Sequence, residues 1–221
     1  MNERYIYLFG GNPSLKEANR EFVEKAGGSE ARIALLIMNT AKWEKFLPVY
    51  TTVWEELGIS RYDIIIPDGN SILDNKKTEE ILKNATGIYI GGGDTYLYHN
   101  HYVNSPVKEM IMKQYNEGVP VAGCSAGALI ILEKSFISPE ESKNKTIDYI
   151  DGIGLLKELC IGVHYTEENQ KPHLIKALQQ YGFSTGYGID EEACAVFKNE
   201  KFEKTIGQDV HYLQQKVEHG F

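Results

Sequence analysis

Apolar residues fall along this chain in short, dense runs, and the segments between them carry apolar positions at helical spacing. "RYIYLFGG" reads as a first buried strand over residues 4–9, ending at Gly10 and Gly11. "ARIALLIMNT" and "YDIIIPD" are two further runs of strand length. Between them, "WEKFLPVYTTVWEELG" has the spacing of a helix, with Pro48 marking a start or a kink. "TEEILKNATG" predicts a short helix closed by Gly87, and "IYIGGGD" a strand ending in three glycines. "TYLYHNHY" and "PVKEMIMKQYNEG" read as helical turns, "VPVAG" as a strand, and the residues after Ser125 as a helix.

The later part of the chain differs. "CIGVHY" reads as a strand and "EENQKPHLIKALQQYG" as a helix with an early proline. "GYGIDEEACAVFKNEKFEKTIGQDVHYL" then alternates in short strands that "KNEK" and "GQD" would join as hairpins. Strand and helix alternating over short connections predict an α/β fold with a largely parallel central sheet, followed here by C-terminal β-hairpins. No Pro/Gly/Ser-rich linker, low-complexity run or internal repeat divides the sequence, so one domain over residues 1–221 is expected. In parallel sheets the ligand crevice lies beyond the carboxyl ends of the strands. Gly10-Gly11, Gly91-Gly92-Gly93 and Gly123-Cys124-Ser125 are all predicted strand ends, and their convergence is the first pointer to a site.

Composition narrows the classes. A chain of 221 residues can bury one substantial core. Its net charge of −8 is spread along the sequence, which argues for solubility and against nonspecific nucleic-acid binding. No run approaches the ~18 apolar residues of a membrane span, and "MNERYIYLFGG" lacks the pattern of a signal peptide. The three cysteines, Cys124, Cys160 and Cys194, are an odd number without metal-ligand spacing, so packing thiols and a reduced, cytoplasmic setting are expected. Neither G-x-x-x-x-G-K-[ST] nor a G-x-G-x-x-G after the first strand is present, which disfavours nucleotide binding. No metal or cofactor is called for.

Gly123-Cys124-Ser125-Ala126-Gly127 satisfies G-x-S-x-G, and it stands between a strand and a helix as the motif requires. A nucleophile on so sharp a turn sits in strained backbone, and the small residues around Ser125 give it clearance. The Ala126 N–H, at the start of a helix, suits an oxyanion. Gly91-Gly92-Gly93-Asp94 is placed to supply the second donor and to contact substrate, because glycine admits close backbone approach. Cys124 precedes the centre of the elbow and is expected to turn into the core.

Six histidines could serve as base: His99, His101, His164, His173, His211 and His219. His164 ends the apolar run "CIGVH" and would project at the same sheet edge as Ser125. His99 and His101 point to different faces of a helical stretch, His173 lies within a helix, and His211 and His219 sit in the tail. A carboxylate must hold the imidazole tautomer. Glu140 and Glu141 in "SPEES", or Asp190, Glu191 and Glu192 in "GIDEEA", could do so, and the residues alone do not choose.

"IYIGGGDT", "GCSAGA", "DGIGLL…VHY" and "GYGIDEEACAVF", in this order, resemble the S51 serine peptidases, which include aspartyl dipeptidase (peptidase E) and cyanophycinase. The resemblance spans most of the chain. It implies a three-layer fold like that of class I glutamine amidotransferases and a metal-free Ser-His-carboxylate site that hydrolyses small peptides or isopeptides. Dipeptides or short peptides are the expected substrates, with another acyl hydrolase (amidase, esterase or isopeptidase) or a non-catalytic binding protein on the same scaffold as the alternatives. Under it, Ser125 matches the nucleophile, His164 the base, and Gly92 and Ala126 the oxyanion donors. Glu140 lies at the spacing of the dipeptidases' third residue, while Asp190 and Glu191 match a segment bordering the site in cyanophycinase-like members. "IGVHYTEENQKPH" has no arginine after His164-Tyr165, so cyanophycin degradation lacks support, and a preference for an N-terminal aspartate is equally unsupported, the nearest basic residue being Lys171. The expected partner is a small peptide, with neither nucleic acid nor membrane, and the expected state a monomer or homodimer.

Overall fold

The computed structural model describes residues 2–215. Its elements run β1 (Tyr5–Phe9), α1 (Lys16–Lys25), β2 (Ile33–Leu36), α2 (Trp43–Phe46), α3 (Pro48–Glu56), β3 (Tyr62–Ile65), α4 (Asn75–Asn84) and β4 (Gly87–Ile90). There follow α5 (Thr95–Tyr98), α6 (Val107–Asn116), β5 (Val121–Cys124), α7 (Ala126–Ile131), β6 (Lys134–Ile137), β7 (Asp148–Asp151) and β8 (Leu159–Gly162). The chain continues with α8 (Lys171–Tyr181), β9 (Thr185–Ile189), β10 (Ala193–Lys198), β11 (Lys201–Gly207) and β12 (Val210–Gln214).

Seven strands form the central sheet in the order β11-β10-β1-β5-β4-β2-β3. The five from β1 to β3 are parallel, and β10 joins β1 antiparallel. Side chains alternate across a strand, and both faces are buried here. Ile6, Leu8, Leu36, Ile88 and Ile90 pack with Val107 and Ile111 of α6 and with α7 on one face. Tyr5, Tyr7, Phe9, Leu35 and Tyr89 pack with Phe22 of α1 and Trp54 of α3 on the other. This double burial is why the strands read as continuous apolar runs rather than as alternating ones. The three-layer α/β expectation is met.

Several expectations need correction. Only one C-terminal hairpin forms among the described residues: β10 and β11 turn at Asn199 and Glu200, both at positive φ (48° and 62°). "GQD" does not close a second hairpin. After Gly207 (φ 87°) the chain leaves the central sheet, and β12 pairs with β9 in a three-stranded sheet β12-β9-β8. Gly87 does not close α4. It opens β4, where a Cβ would stand 2.9 Å from the Ala26 Cβ. The pattern also leaves α1 unread, because its buried face is only Ala18, Asn19, Phe22 and Val23. Asn19 is held there by accepting from Trp54 Nε1 at 2.8 Å and donating to Pro13 O. His219 lies outside the described residues.

Candidate active site

Ser125 stands between β5 and α7 with φ 51° and ψ −115°, a conformation that costs a non-glycine residue about 1–3 kcal/mol. Its amide donates to Phe9 O at 3.1 Å and its carbonyl accepts from Leu129 N at 3.0 Å, so neighbouring elements hold the strain. The flanking glycines are sterically required. A Cβ on Gly123 would lie 2.6 Å from the Gly127 backbone, and one on Gly127 would lie 2.5 Å from Gly91 O.

The short strand β8 delivers His164, also at positive φ (46°), whose amide donates to Gly10 O at 3.2 Å. Its ring lies against Gly11, where a Cβ would be 2.5 Å from Cε1. Ser125 Oγ and His164 Nε2 are 3.0 Å apart. With Nε2 accepting the serine proton, Nδ1 carries the ring hydrogen. The carboxylate it faces is Glu191, with Nδ1 to Oε2 at 3.6 Å. That separation is an ion-pair contact rather than a hydrogen bond in this state. The Glu191 backbone is itself fixed, its amide donating to the Glu167 carboxylate at 3.2 Å and its carbonyl accepting from Asn12 N at 2.8 Å.

Glu140, expected as the third member, lies elsewhere. Its Oε2 is 3.9 Å from His173 Nδ1, and its carbonyl accepts from Lys145 Nζ. The loop after β6 turns back on itself at Ser138–Ser142, which directs Glu140 toward α8 instead of toward Ser125. Glu141 accepts from Thr95 Oγ1 at 3.1 Å, and Glu192 from Asn12 Nδ2 at 2.7 Å. Asp190 is a brace: Oδ1 accepts from the Thr166 hydroxyl (2.6 Å) and amide (3.1 Å), and Oδ2 pairs with His211 Nε2 at 2.9 Å. Burial raises its pKa, but the Thr166 and His211 hydrogen bonds outweigh that and hold it below the usual aspartate value.

The glycine run divides its roles. Gly91 is buried, donates to Leu36 O at 2.9 Å, and a Cβ on it would stand 2.8 Å from Tyr50 Oη. Gly92 lies beside Ser125, a Cβ on it falling 3.3 Å from Ser125 Cβ. Its amide, expected to face the oxyanion, donates instead to Tyr50 Oη at 2.9 Å. Burial pushes the Tyr50 phenol up to about 12, so a neutral hydroxyl occupies that donor. Gly93 is exposed at φ 145°, a value glycine alone adopts readily. Asp94 caps α5 by accepting from Leu97 N at 3.1 Å. Ala126 N–H, at the first helical position, has no intrahelical acceptor. Cys124 is buried, and burial pushes its thiol up, which leaves it unsuited to act as a nucleophile. Tyr50 and Thr166 escaped the sequence reading, since nothing in "PVYTTVW" or "HYTEE" marks either as reaching the site.

The geometry can thus deliver a serine hydroxyl, an imidazole nitrogen 3.0 Å from it, a carboxylate on the far side of the ring and a backbone donor. Comparisons with known proteins bear on family and fold. The model of Peptidase family S51 matches residues 7–205. A cyanophycinase of Geminocystis herdmanii is 27% identical over 197 residues, covering 87% of this chain and 72% of that protein. A cyanophycinase of Nostoc is 26% identical, with 87% of this chain and 66% of that protein covered, so the chain spans roughly two thirds to three quarters of these relatives. The crystal structure of a peptidase from an acI-B1 actinobacterium shares the fold at TM-score 0.73 and 20% identity, over 96% of this chain and 91% of that one.

Proposed function

From the premise that the chain belongs to peptidase family S51, we propose that it is a serine exopeptidase that cleaves dipeptides or other short peptides in the cytoplasm. The observation that carries this reading is the 3.0 Å contact between Ser125 Oγ, on its strained elbow, and His164 Nε2. The three free, buried cysteines fit a reducing compartment, and among the described residues no helix is long and apolar enough to cross a membrane.

In the reaction, His164 Nε2 takes the Ser125 proton as Oγ attacks the scissile carbonyl. Charge developing on the carbonyl oxygen meets the Ala126 N–H. The Gly92 N–H joins it once the Tyr50 hydroxyl gives way. One such donor is typically worth about 10²–10³ in turnover. The imidazolium, facing Glu191, passes its proton to the leaving amine, the C–N bond breaks, and an ester to Ser125 remains. Water, deprotonated by His164, then attacks that ester and regenerates Oγ–H. Ser125→Ala should abolish hydrolysis of a dipeptide library, followed by mass spectrometry, while leaving the thermal melt intact. Cleavage that survives the substitution would rule the reading out.

A second reading rests on the names of the relatives, both cyanophycinases. The same pair of proteins incubated with cyanophycin decides it, since only a Ser125-dependent release of product supports that activity here.

A further inference from the structure

A cavity of about 210 Å³ opens on the opposite flank of Ser125 from His164. It lies at the carboxyl ends of β2 and β4, and its walls include Ile37, Met38, Trp43, Phe46, Leu47 and Tyr50. It reaches Gly92 and Gly93, and Gly92 is close enough to Ser125 that a Cβ on it would fall 3.3 Å from Ser125 Cβ. We propose that this cavity is the subsite for the residue that donates the scissile carbonyl, and that it selects an aliphatic or aromatic side chain there. The proposal rests on the serine-peptidase reading above and names its substrate class.

Local sequence builds the walls. Lys42 turns the chain at φ 66° into the single turn α2, and Pro48 opens α3 directly after it. Positions 43, 46 and 47 therefore share one helical face, and Trp43, Phe46 and Leu47 all line the cavity. Phe46 remains 61% exposed and Val49 41%, an apolar rim that a ligand would cover. Among the described residues, no lysine, arginine or histidine lines the cavity. Its one charged residue is Asp94, whose carboxylate is engaged at the α5 cap and would repel an acidic side chain. The volume falls below the ~300–1,000 Å³ of pockets that hold a drug-sized ligand, which suits one side chain.

Sheet order assigns the cavity to the acyl side. Ser125 ends β5, the His164 ring lies against Gly11 just past β1, and the cavity lies past β4 and β2, so base and cavity flank the nucleophile in the order β1-β5-β4-β2. His164 hands its proton to the leaving amine, which must therefore face β1. The other substituent of the attacked carbon points away from the imidazole, toward Gly92, Gly93 and the cavity.

The test uses X-Ala dipeptides with X as Asp, Lys, Ala, Leu or Phe. Wild type should turn over Leu-Ala and Phe-Ala with kcat/KM about 10–100-fold above Ala-Ala, and Asp-Ala below Ala-Ala. Thr40 is exposed at the cavity mouth and uses only its backbone in hydrogen bonds, to Met38 O and from Trp43 N. Thr40→Trp should fill the space and collapse the Phe/Ala ratio to within about 3-fold, and Phe46→Ala should lower it without the bulk. Calorimetry on Ser125→Ala separates the two readings. If wild type cleaves nothing but Ser125→Ala binds Phe-Ala at least 10-fold tighter than Ala-Ala, and Thr40→Trp on that background removes the difference, the subsite stands and the peptidase reading falls. Ser125-dependent cleavage with Asp-Ala preferred, or with Phe-Ala and Ala-Ala alike, overturns the subsite and leaves the peptidase. Equal binding of Phe-Ala and Ala-Ala to Ser125→Ala overturns it whatever the turnover.

Discussion

The two flanks of Ser125 are built from the same kind of strand end and have opposite chemistry. Past β1 and β10 the edge is polar and cross-braced: His164 faces Glu191, Glu167 holds the Glu191 amide, and Asp190 ties Thr166 to His211. Past β4 and β2 the edge is an apolar hollow, and Gly92 beside Ser125 is held there by two phenols, its amide donating to Tyr50 Oη and its carbonyl accepting from Tyr98 Oη. The difference teaches how one sheet divides labour. Proton transfer needs groups held within a few tenths of an ångström, and hydrogen bonds supply that on one side. Selection of a side chain needs shape and dryness, which aromatic and aliphatic walls supply on the other.

The largest test of the polar flank exchanges its carboxylates. Glu191→Gln should lower kcat/KM by about 10²-fold, because the neutral amide no longer stabilises the imidazolium or enforces the tautomer. The acid limb of the pH–rate profile should shift at the same time. Glu140→Gln should stay within about 2-fold of wild type. The reverse pattern would return Glu140 to the site and remove Glu191 from it.

Next in size is the brace. Asp190→Asn should cost about 1–2 kcal/mol at pH 7, since hydrogen bonds to a charged group are replaced by weaker ones. The sign of its pH dependence follows from the folded-state pKa, which lies below that of the unfolded chain. The stabilisation is present above the unfolded aspartate value of about 3.9 and is lost as pH falls through the lower folded value. Urea melts of wild type and variant should therefore differ at neutral pH, begin to approach each other below about pH 4, and converge only once the pH is below the lower folded-state value. A gap that persists in acid would mean that packing, not charge, is what Asp190 contributes.

The smallest effect is on the apolar flank. Tyr50→Phe removes one hydroxyl and keeps the ring that packs against Tyr89. It should cost about 1 kcal/mol in stability and raise kcat by a few-fold at most, as the Gly92 amide is freed. A drop in kcat of about 10-fold or more, worth ~1.4 kcal/mol, would show instead that the phenol serves the reaction.

Much of this molecule is carried by local pattern. Strands buried on both faces must be apolar throughout, so β1, β2, β4 and β5 stand out as runs, and Gly123 and Gly127 mark an elbow because any Cβ there strikes backbone. Ser125 was legible as the residue that ends β5, but His164 was expected at the same sheet edge and instead follows β8 of the separate sheet β12-β9-β8, so the packing of the two sheets sets its ring against Gly11 and within 3.0 Å of Ser125 Oγ. Nothing local distinguishes a glutamate that faces an imidazole from one that faces solvent, since the choice is made by chain segments far apart in sequence. Folding of the loop at Ser138–Ser142 took Glu140 to His173, and the turn between β9 and β10 brought Glu191 to His164. Strand partnership behaved likewise. The alternation of "QDVHYL" specifies a strand but not its neighbour, and only the departure at Gly207 gave β12 to β9. Tyr50 is the sharpest case, a helix residue by pattern that tertiary packing alone set against Gly92. Periodicity and sterics act within a few residues and are written in the sequence, whereas pairing of polar groups across the site depends on where separate elements come to rest.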